Sequence, residues 1–445
     1  NNKLSFYRDT ILFGEVLEGT MAKIAVIGAG YVGLTTGACL ASLGHDVVVA
    51  DNDNDRVNSL KIGEIPFFEP GLKELVSEVV DSQKLSFVSG AANASKDAEF
   101  HFLCLPTPAN KDGSSDLSFF EKGINEISSV LKPNSIVVIK STVPLGTAKE
   151  IQKALGRKDT HVVSNPEFLS EGNAIRDFLK PSRIVFGANS LEHSERVAEL
   201  YSEIDAPILM NSWESAELIK HTANAFLAMK LTFVNEIATL CEITGADIRD
   251  VTSGIGYDPR IGSEYMQAGP GWGGSCFPKD SASLAQVARS FGFDFTLLEH
   301  TIDLNRKHLD RTAHKVSQLI PNNTSTRKVA AWGLTFKAGT DDLRYSPAVE
   351  VLKRLETEQY VITAFDPTVE ESLPQLPSTK IMDDPYECVS GTDALVILTE
   401  WDDFKLLDME AVADSMRNAN LIDTRNMFNR YEMEEIGFTY IGMGA

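Results

Sequence analysis

Residues 23–33 read Lys-Ile-Ala-Val-Ile-Gly28-Ala29-Gly30-Tyr31-Val32-Gly33, and a helix-like stretch runs on to Leu43. A short, unbroken apolar run entering a glycine cluster is the pattern of a strand buried on both faces, as in a parallel sheet covered by helices. Gly44-His45 turns the chain, and residues 46–50 form a second such strand that ends at Asp51. Strand, glycine turn, helix and strand make one βαβ unit, which commits the chain to an α/β fold. The glycines permit a tight turn and let a pyrophosphate approach the helix N-terminus, where backbone N–H groups and the helix dipole favour an anion. Asp51 lies 18 residues after Gly33, where an acid bonds a ribose 2′-hydroxyl and repels a 2′-phosphate. The expected cofactor is therefore NAD, held by Gly28, Gly30, Tyr31, Val32, Gly33 and Asp51, with Arg56 close by in sequence.

A chain of 445 residues is too long for one hydrophobic core, so more than one domain is expected. The formal net charge of −22 argues against a nucleic-acid partner, which needs a basic face. A few local Lys and Arg can still hold an anionic small ligand. Five scattered cysteines form neither a disulfide framework nor a zinc pattern, so no metal is expected and a reducing cytoplasm fits best. No stretch approaches the roughly 18 apolar residues of a membrane span. Residues 1–20 lack the basic start and cleavage site of a signal peptide and read as an upstream extension.

The α/β alternation continues. Residues 100–105 form a strand whose exit carries Thr107, and 119–131 are helical. Strands at 136–140 and 161–164 end at Thr142 and at Asn165-Pro166-Glu167-Phe168-Leu169-Ser170-Glu171, and residues 183–187 form one more. Ligands bind outside the carboxyl ends of such strands, which places Thr142, Glu167 and Glu171 where chemistry occurs. Residues 214–241 form the longest helical pattern. Its apolar stripe is Ala216, Ile219, Ala223, Phe226, Phe233, Ile237 and Leu240, with Lys230 the one polar member. Such a helix is expected to bridge two domains and to supply a contact in a homo-oligomer, at least a dimer. Lys220 and Asn224, four apart, lie off that stripe. A polar segment at 321–327 reads as a linker. A second α/β unit then follows, with strands at 329–334, 361–365, 394–398, 421–423 and 440–443. It lacks the GxGxxG and is only loosely like the first. The expected organisation is an extension (1–20), an NAD domain (21–210), a central helical region (211–320) and a second nucleotide domain (321–445): two Rossmann-like α/β domains joined by a long central helix.

Between them stands Gly269-Pro270-Gly271-Trp272-Gly273-Gly274-Ser275-Cys276-Phe277-Pro278-Lys279-Asp280. Pro278 suits a first helical turn, so Cys276 falls at a helix N-terminus, where a thiolate is favoured. Asp280, four residues on, shares that helical face. The glycines are expected to let a ligand approach the backbone beside Cys276. NAD with an activated cysteine suggests oxidation through a covalent adduct: a thiolate adds to an aldehyde, a hydride leaves to NAD, and water hydrolyses the thioester.

This loop, together with Ser141-Thr142-Val143-Pro144, Asn165-Pro166-Glu167-Phe168-Leu169, Phe336-Lys337 and Thr340-Asp341-Asp342-Leu343-Arg344, resembles the motifs of the UDP-glucose/GDP-mannose dehydrogenase family, in the family's order. The resemblance implies a four-electron oxidation of UDP-glucose to UDP-glucuronate, with two NAD reduced and no aldehyde released. It implies Cys276 as nucleophile, and Lys220 with Asn224 as oxyanion stabilisers. Asp280 would order a water that serves as base, and Glu167 would act as base for thioester hydrolysis. Thr142 and Glu171 would order that water or the nicotinamide. By the same resemblance Lys337, Arg425 and Arg260 would meet the diphosphate, the last perhaps from a neighbouring subunit, and Tyr265 would lie near the uridine. Phe168, Leu169, Gly273 and Phe277 would line the sugar, and Lys279, Arg344 and Thr107 would reach the cofactor. Tyr345 stands where many relatives carry an acid. UDP-N-acetylmannosamine dehydrogenases typically have a histidine before the cysteine and lack this lysine, and GDP-mannose dehydrogenases typically have leucine after it; both differences favour UDP-glucose. Two other readings stay open, a dehydrogenase of another nucleotide sugar and a non-catalytic nucleotide-sugar-binding protein. A one-step 3-hydroxyacid dehydrogenase would need neither the cysteine nor a second nucleotide domain. Polysaccharide or surface-glycan synthesis is the family-level expectation for the product.

Overall fold

The structure, a computed structural model, describes residues 21–110, 112–320 and 327–444. The expected extension 1–20 and all but the last residue of the expected linker 321–327 lie outside the described residues. The chain divides into two compact units. One takes in the chain up to Ala223 with Ala282–Phe291, and the other Asn224–Ser281 with Gly292 onward.

The first unit is built on an eight-stranded sheet: β1 (Lys23–Ile27), β2 (Asp46–Asp51), β3 (Leu85–Ser89), β4 (Phe100–Leu103), β5 (Ser135–Ile139), β6 (Thr160–Ser164), β7 (Ile184–Gly187) and β8 (Ile208–Asn211). The strand order is β3-β2-β1-β4-β5-β6-β7-β8. Every pairing is parallel except β6 with β7. The first six strands follow the order of a doubly wound dinucleotide fold, whose crevice opens where the connections reverse, between β1 and β4. Side-chain alternation divides the core between the two faces. Ile24 and Val26 of β1 point into one cluster with Leu34, Phe100 and Phe102. Ile27 points into the other with Leu103, Val137 and Ile139.

The second unit carries β9 (Lys328–Trp332), β10 (Val361–Phe365), β11 (Lys380–Ile381), β12 (Ala394–Ile397), β13 (Asn420–Asp423) and β14 (Thr439–Gly442) in the order β11-β10-β9-β12-β13-β14, all parallel. Counted from its own first strand, this repeats the order of the first six strands of the other sheet. The likeness reaches the backbone. Gly28 N–H donates to Ala50 O at 2.8 Å after β1, and Gly333 N–H donates to Phe365 O at 2.8 Å after β9. The two glycines have φ of +101° and +92°. Asp51 and Asp366 follow at the ends of the respective second strands, and each accepts N–H groups from the turn after the first strand. The repeat is closer than the sequence suggested, because equivalent turns are built from different residues.

The longest helix, Trp213–Thr244, has 32 residues and runs from the first unit into the second. Its expected apolar stripe does not all face a core. Ala216 is buried, but Phe226, Phe233 and Leu240 are 57%, 55% and 52% exposed. Their spacing of seven residues lines them along one side of the helix. The face that the first unit buries is the polar one, with Glu217, Lys220 and His221.

Candidate active site

In the first unit the fingerprint glycines have different reasons. A Cβ on Gly28 would lie 2.5 Å from Cys104 O, and one on Gly33 would lie 1.8 Å from Gly28 O. Both serve the chain's own packing. A Cβ on Gly30 would meet nothing within 4 Å, so the space beside it is left open. Gly30 precedes the helix Tyr31–Ser42, whose start has no side-chain cap and no acid in its first turn. Open space, uncapped N–H groups and the positive end of a helix fit a pyrophosphate. Val32, partly buried, packs against the core cluster beside this turn. Asp51 accepts Ala29 N–H at 2.8 Å and Asp53 N–H at 2.9 Å, and Arg56 reaches it at 3.3 Å. These residues could hold NAD as the sequence implied. The Tyr31 hydroxyl donates to Glu69 at 2.5 Å, and burial with this bond pushes its pKa above the usual range.

Thr107, buried, donates its hydroxyl to Thr142 O at 3.0 Å, which joins the exits of β4 and β5. Glu167 is buried after β6. One oxygen accepts Leu169 N–H at 2.6 Å, and the other lies 3.3 Å from the Lys220 ammonium. Two cations lie over Phe168, with the Arg183 guanidinium 3.7 Å from its ring centroid and Lys220 Nζ 5.3 Å away. Lys220 is therefore no solvated lysine; it is 3% exposed. On the same helix Glu217 accepts Gly146 and Ala148 N–H at 2.6 and 2.8 Å, and His221 Nε2–H donates to Val143 O at 2.9 Å. The helix thus grips the segment that carries Thr142. Burial pushes the Glu217 carboxyl up to about 7. Glu171 is half-buried in the loop whose Gly172 N–H and Ala174 N–H bond Glu69 at 2.6 and 2.7 Å.

In the second unit Cys276 immediately precedes the helix Phe277–Ser290. It is half-buried, whereas the other four cysteines are buried. Burial pushes the Cys39, Cys104 and Cys388 thiols up to about 12, which leaves them inert. Asp280 N–H donates to Cys276 O at 2.8 Å, as the first turn requires. The Asp280 carboxylate is fully buried, accepts the Asn224 amide at 2.6 Å and faces Lys279 at 3.2 Å. Ser275 Oγ lies 3.5 Å from Cys276 Sγ.

The loop before Cys276 is fastened by two helices. From Trp213–Thr244, Asn235 accepts Gly269 N–H at 3.0 Å and Thr232 accepts Trp272 Nε1–H at 2.7 Å. From Thr296–Leu319, Asn305 both accepts Trp272 N–H and donates to Trp272 O, and His308 donates to Gly269 O at 2.8 Å. The glycines answer to the chain itself. A Cβ on Gly273 would lie 1.9 Å from Tyr345 O, and one on Gly274 would lie 2.8 Å from the Phe336 ring. The chain's own packing is enough to require a bare backbone at both positions. Phe277 stands 6.3 Å from the Tyr265 ring and 6.5 Å from the Trp272 ring. Arg425 is tied to Leu398 O, Phe336 O and Glu400 at 2.9, 3.2 and 3.0 Å, beside Gly269. Lys337 Nζ lies 5.7 Å from the Phe336 ring. Arg260 and Arg344 are exposed and paired with Asp258 and Asp342 at 2.6 and 2.8 Å. Asp366, the counterpart of Asp51, is buried by Leu334, Thr335 and Trp401 contacts, so it has no room for a ribose.

Glu69, Lys140, Glu217, His221, Asn235, Asn305 and His308 were not singled out in the sequence. Glu217 and His221 were findable, since with Lys220 and Asn224 they make one polar helical face at spacings of three and four. The other five gave no local signal, because their partners are distant in the chain.

Fold and site together define an NAD-dependent dehydrogenase with a second nucleotide-type unit. Residues 22–205 match the NAD binding domain of the UDP-glucose/GDP-mannose dehydrogenase family, 214–307 its central domain and 330–430 its UDP binding domain. The chain is 41% identical over 433 residues to the UDP-glucose 6-dehydrogenase of Rhizobium meliloti (strain 1021), covering 95% of this chain and 99% of that one. It is 39% identical to the UDP-glucose 6-dehydrogenase TuaD of Bacillus subtilis (strain 168), covering 95% and 93%. Among solved structures, a UDP-glucose dehydrogenase from the archaeon Pyrobaculum islandicum superposes with a TM-score of 0.87 at 33% identity, covering 96% and 98%. The chain belongs to the UDP-glucose/GDP-mannose dehydrogenase family.

Proposed function

We propose that this enzyme oxidises the C6 alcohol of UDP-glucose to the carboxylate of UDP-glucuronate through adducts on Cys276. The observation that carries the reading is Cys276 at a helix start, half-buried where the other four cysteines are buried, with Asp280 one turn on. The relatives named as UDP-glucose 6-dehydrogenases support the choice of sugar.

NAD bound at the fingerprint would accept one hydride per oxidation, so two NAD would be reduced in turn over the two oxidations of each sugar. In the first, a water ordered by Asp280 takes the hydroxyl proton while carbon-bound hydrogen departs as hydride. Lys220 and Asn224 stabilise the negative oxygen that develops. The Cys276 thiolate then adds to the aldehyde carbon, and the second hydride loss turns the thiohemiacetal into a thioester. Glu167 takes a proton from a water that Thr142 orders. That water adds to the thioester carbon and the thiolate leaves. Lys337, Arg425 and Arg260 meet the diphosphate, and Tyr265 lies near the uridine. The product suits polysaccharide synthesis in the cytoplasm. No helix among the described residues is long and apolar enough to cross a membrane. The exposed row Phe226, Phe233 and Leu240 is the surface proposed to meet a second copy.

The test is stoichiometry. Purified enzyme with NAD and a panel of nucleotide sugars should form two NADH per UDP-glucose. One NADH, or turnover confined to another sugar, sinks the reading. Sedimentation should give at least a dimer, and Phe233→Asp should shift it toward monomer.

A further inference from the structure

Lys140 is a buried ammonium that the reaction above does not use. It follows β5 and is 5% exposed. Its Nζ donates to Asn165 Oδ1 at 3.1 Å and lies 5.6 Å from the rings of both Phe178 and Tyr201. Asn165 is fully engaged. It also accepts the Tyr201 hydroxyl at 2.8 Å, donates its amide to Val185 O at 3.0 Å, and gives its backbone N–H to Ile139 O at 2.8 Å. Aromatic faces and one amide oxygen are weak compensation for a desolvated ammonium. Lys140 stands two residues before Thr142, and Asn165 two residues before Glu167. The Lys140–Asn165 bond therefore joins the two segments that present those side chains.

We infer that Lys140 is a positioning residue for Glu167: through its bond to Asn165 it fixes the Asn165-Pro166-Glu167 turn and adds a second ammonium to the Lys220 charge on that segment. The inference rests on the proposed role of Glu167 as base. The charges around Glu167 agree with it. Lys220 faces Glu167 from the long helix at 3.3 Å, and Arg183 is stacked on Phe168 next to it. The Cys104 thiol, at the end of β4, is pushed up to about 12 by burial and stays neutral. Burial pushes Lys140 down to about 8, and Glu167 is the strongest of the charges that act against this. Lys220 acts in the opposite sense to Glu167.

The test follows the thioester on Cys276 by acid quench and intact mass after mixing enzyme, NAD and UDP-glucose across pH. Lys140→Met should move the acid limb of thioester hydrolysis upward by about one pH unit, because a carboxylate that loses a nearby cation is harder to ionise. Lys140→Arg should restore the wild-type limb. Asn165→Asp keeps the shape but sets a second carboxylate against Lys140, and should move the limb the same way; it carries the test should Lys140→Met not fold. Limbs unmoved in the folded variants overturn the role of Lys140. Glu167→Gln separates the two readings: if it abolishes the limb while the Lys140 and Asn165 variants leave it in place, only the role of Lys140 falls. If the limb survives in Glu167→Gln, the base assignment falls and this inference with it.

Discussion

The side-chain amide of Asn224 donates to the carboxylate of Asp280 at 2.6 Å, and Asp280 is fully buried. A buried carboxylate depends on every donor it has, and the Lys279 ammonium lies 3.2 Å from the same carboxylate. Asn224→Ala should lower kcat about 30-fold, roughly 2 kcal/mol of lost stabilisation. Asn224→Asp should be worse by a further factor of about ten, since it sets two carboxylates together out of water. Steady-state kinetics with UDP-glucose would check both; wild-type kcat in Asn224→Ala would show that the donor is not needed.

Gly30 and Gly273 should separate binding from folding. A methyl on Gly30 meets no atom of the chain within 4 Å, and its φ is −77°. Gly30→Ala should therefore melt within about 2 °C of wild type. It should still lose about tenfold or more in NAD affinity, because the methyl fills the space left for the pyrophosphate. Gly273→Ala drives a methyl onto Tyr345 O. It should cost on the order of 3 kcal/mol and displace the Cys276 loop. Calorimetry with NADH titration reads both; unchanged NAD affinity in Gly30→Ala would remove the fingerprint from cofactor binding.

Two histidines predict how the protein loses stability in acid. Burial pushes His101 in β4 and His308, which donates to Gly269 O, from 6.5 down to about 4. Their folded pKa values lie below the unfolded value, so between pH 6.5 and about 4 the unfolded chain binds the extra protons. Stability is therefore complete above that window and is lost as pH falls through it. His308→Gln keeps an amide donor and removes the titration. It should recover on the order of 3 kcal/mol of the loss in the second unit. Urea titrations at about pH 7 and about pH 4.5 would show this as a smaller drop in midpoint.

Asp51 should set cofactor choice. Its carboxylate already holds Ala29 N–H and is paired with Arg56. Asp51→Ser removes the charge that repels a 2′-phosphate and leaves Arg56 to attract one. The ratio of kcat/KM for NADP over NAD should rise at least about tenfold, near 1.4 kcal/mol. An unchanged ratio would place the adenosine ribose elsewhere.

Much of this was legible locally. A glycine turn after an apolar run, an acid closing the next strand and a proline at a helix start are each explained by residues within a few positions. That is why the βαβ unit, the strand ends at Thr142 and Glu167, and the placement of Cys276 before a helix could be read. What each helix face meets was not legible. Phe226, Phe233 and Leu240 share a stripe with the buried Ala216 yet are exposed, and Lys220 and Asn224, polar and off that stripe, are buried. Periodicity tells which residues share a face and is silent about what the face meets.

By itself, then, the sequence determined the α/β class, NAD as cofactor and the order of the elements, because these depend on short-range backbone chemistry. Tertiary structure alone decided the supports. Glu69 holding Tyr31, Lys140 holding Asn165, and Asn305 and His308 holding the glycine loop all join residues tens of positions apart. Such bonds satisfy buried polar groups whose partners no local pattern specifies. The glycines of the Cys276 loop show the same division. Their need for a bare backbone was visible at once, but the atoms that require it, Tyr345 O and the Phe336 ring, arrive from more than 60 residues away.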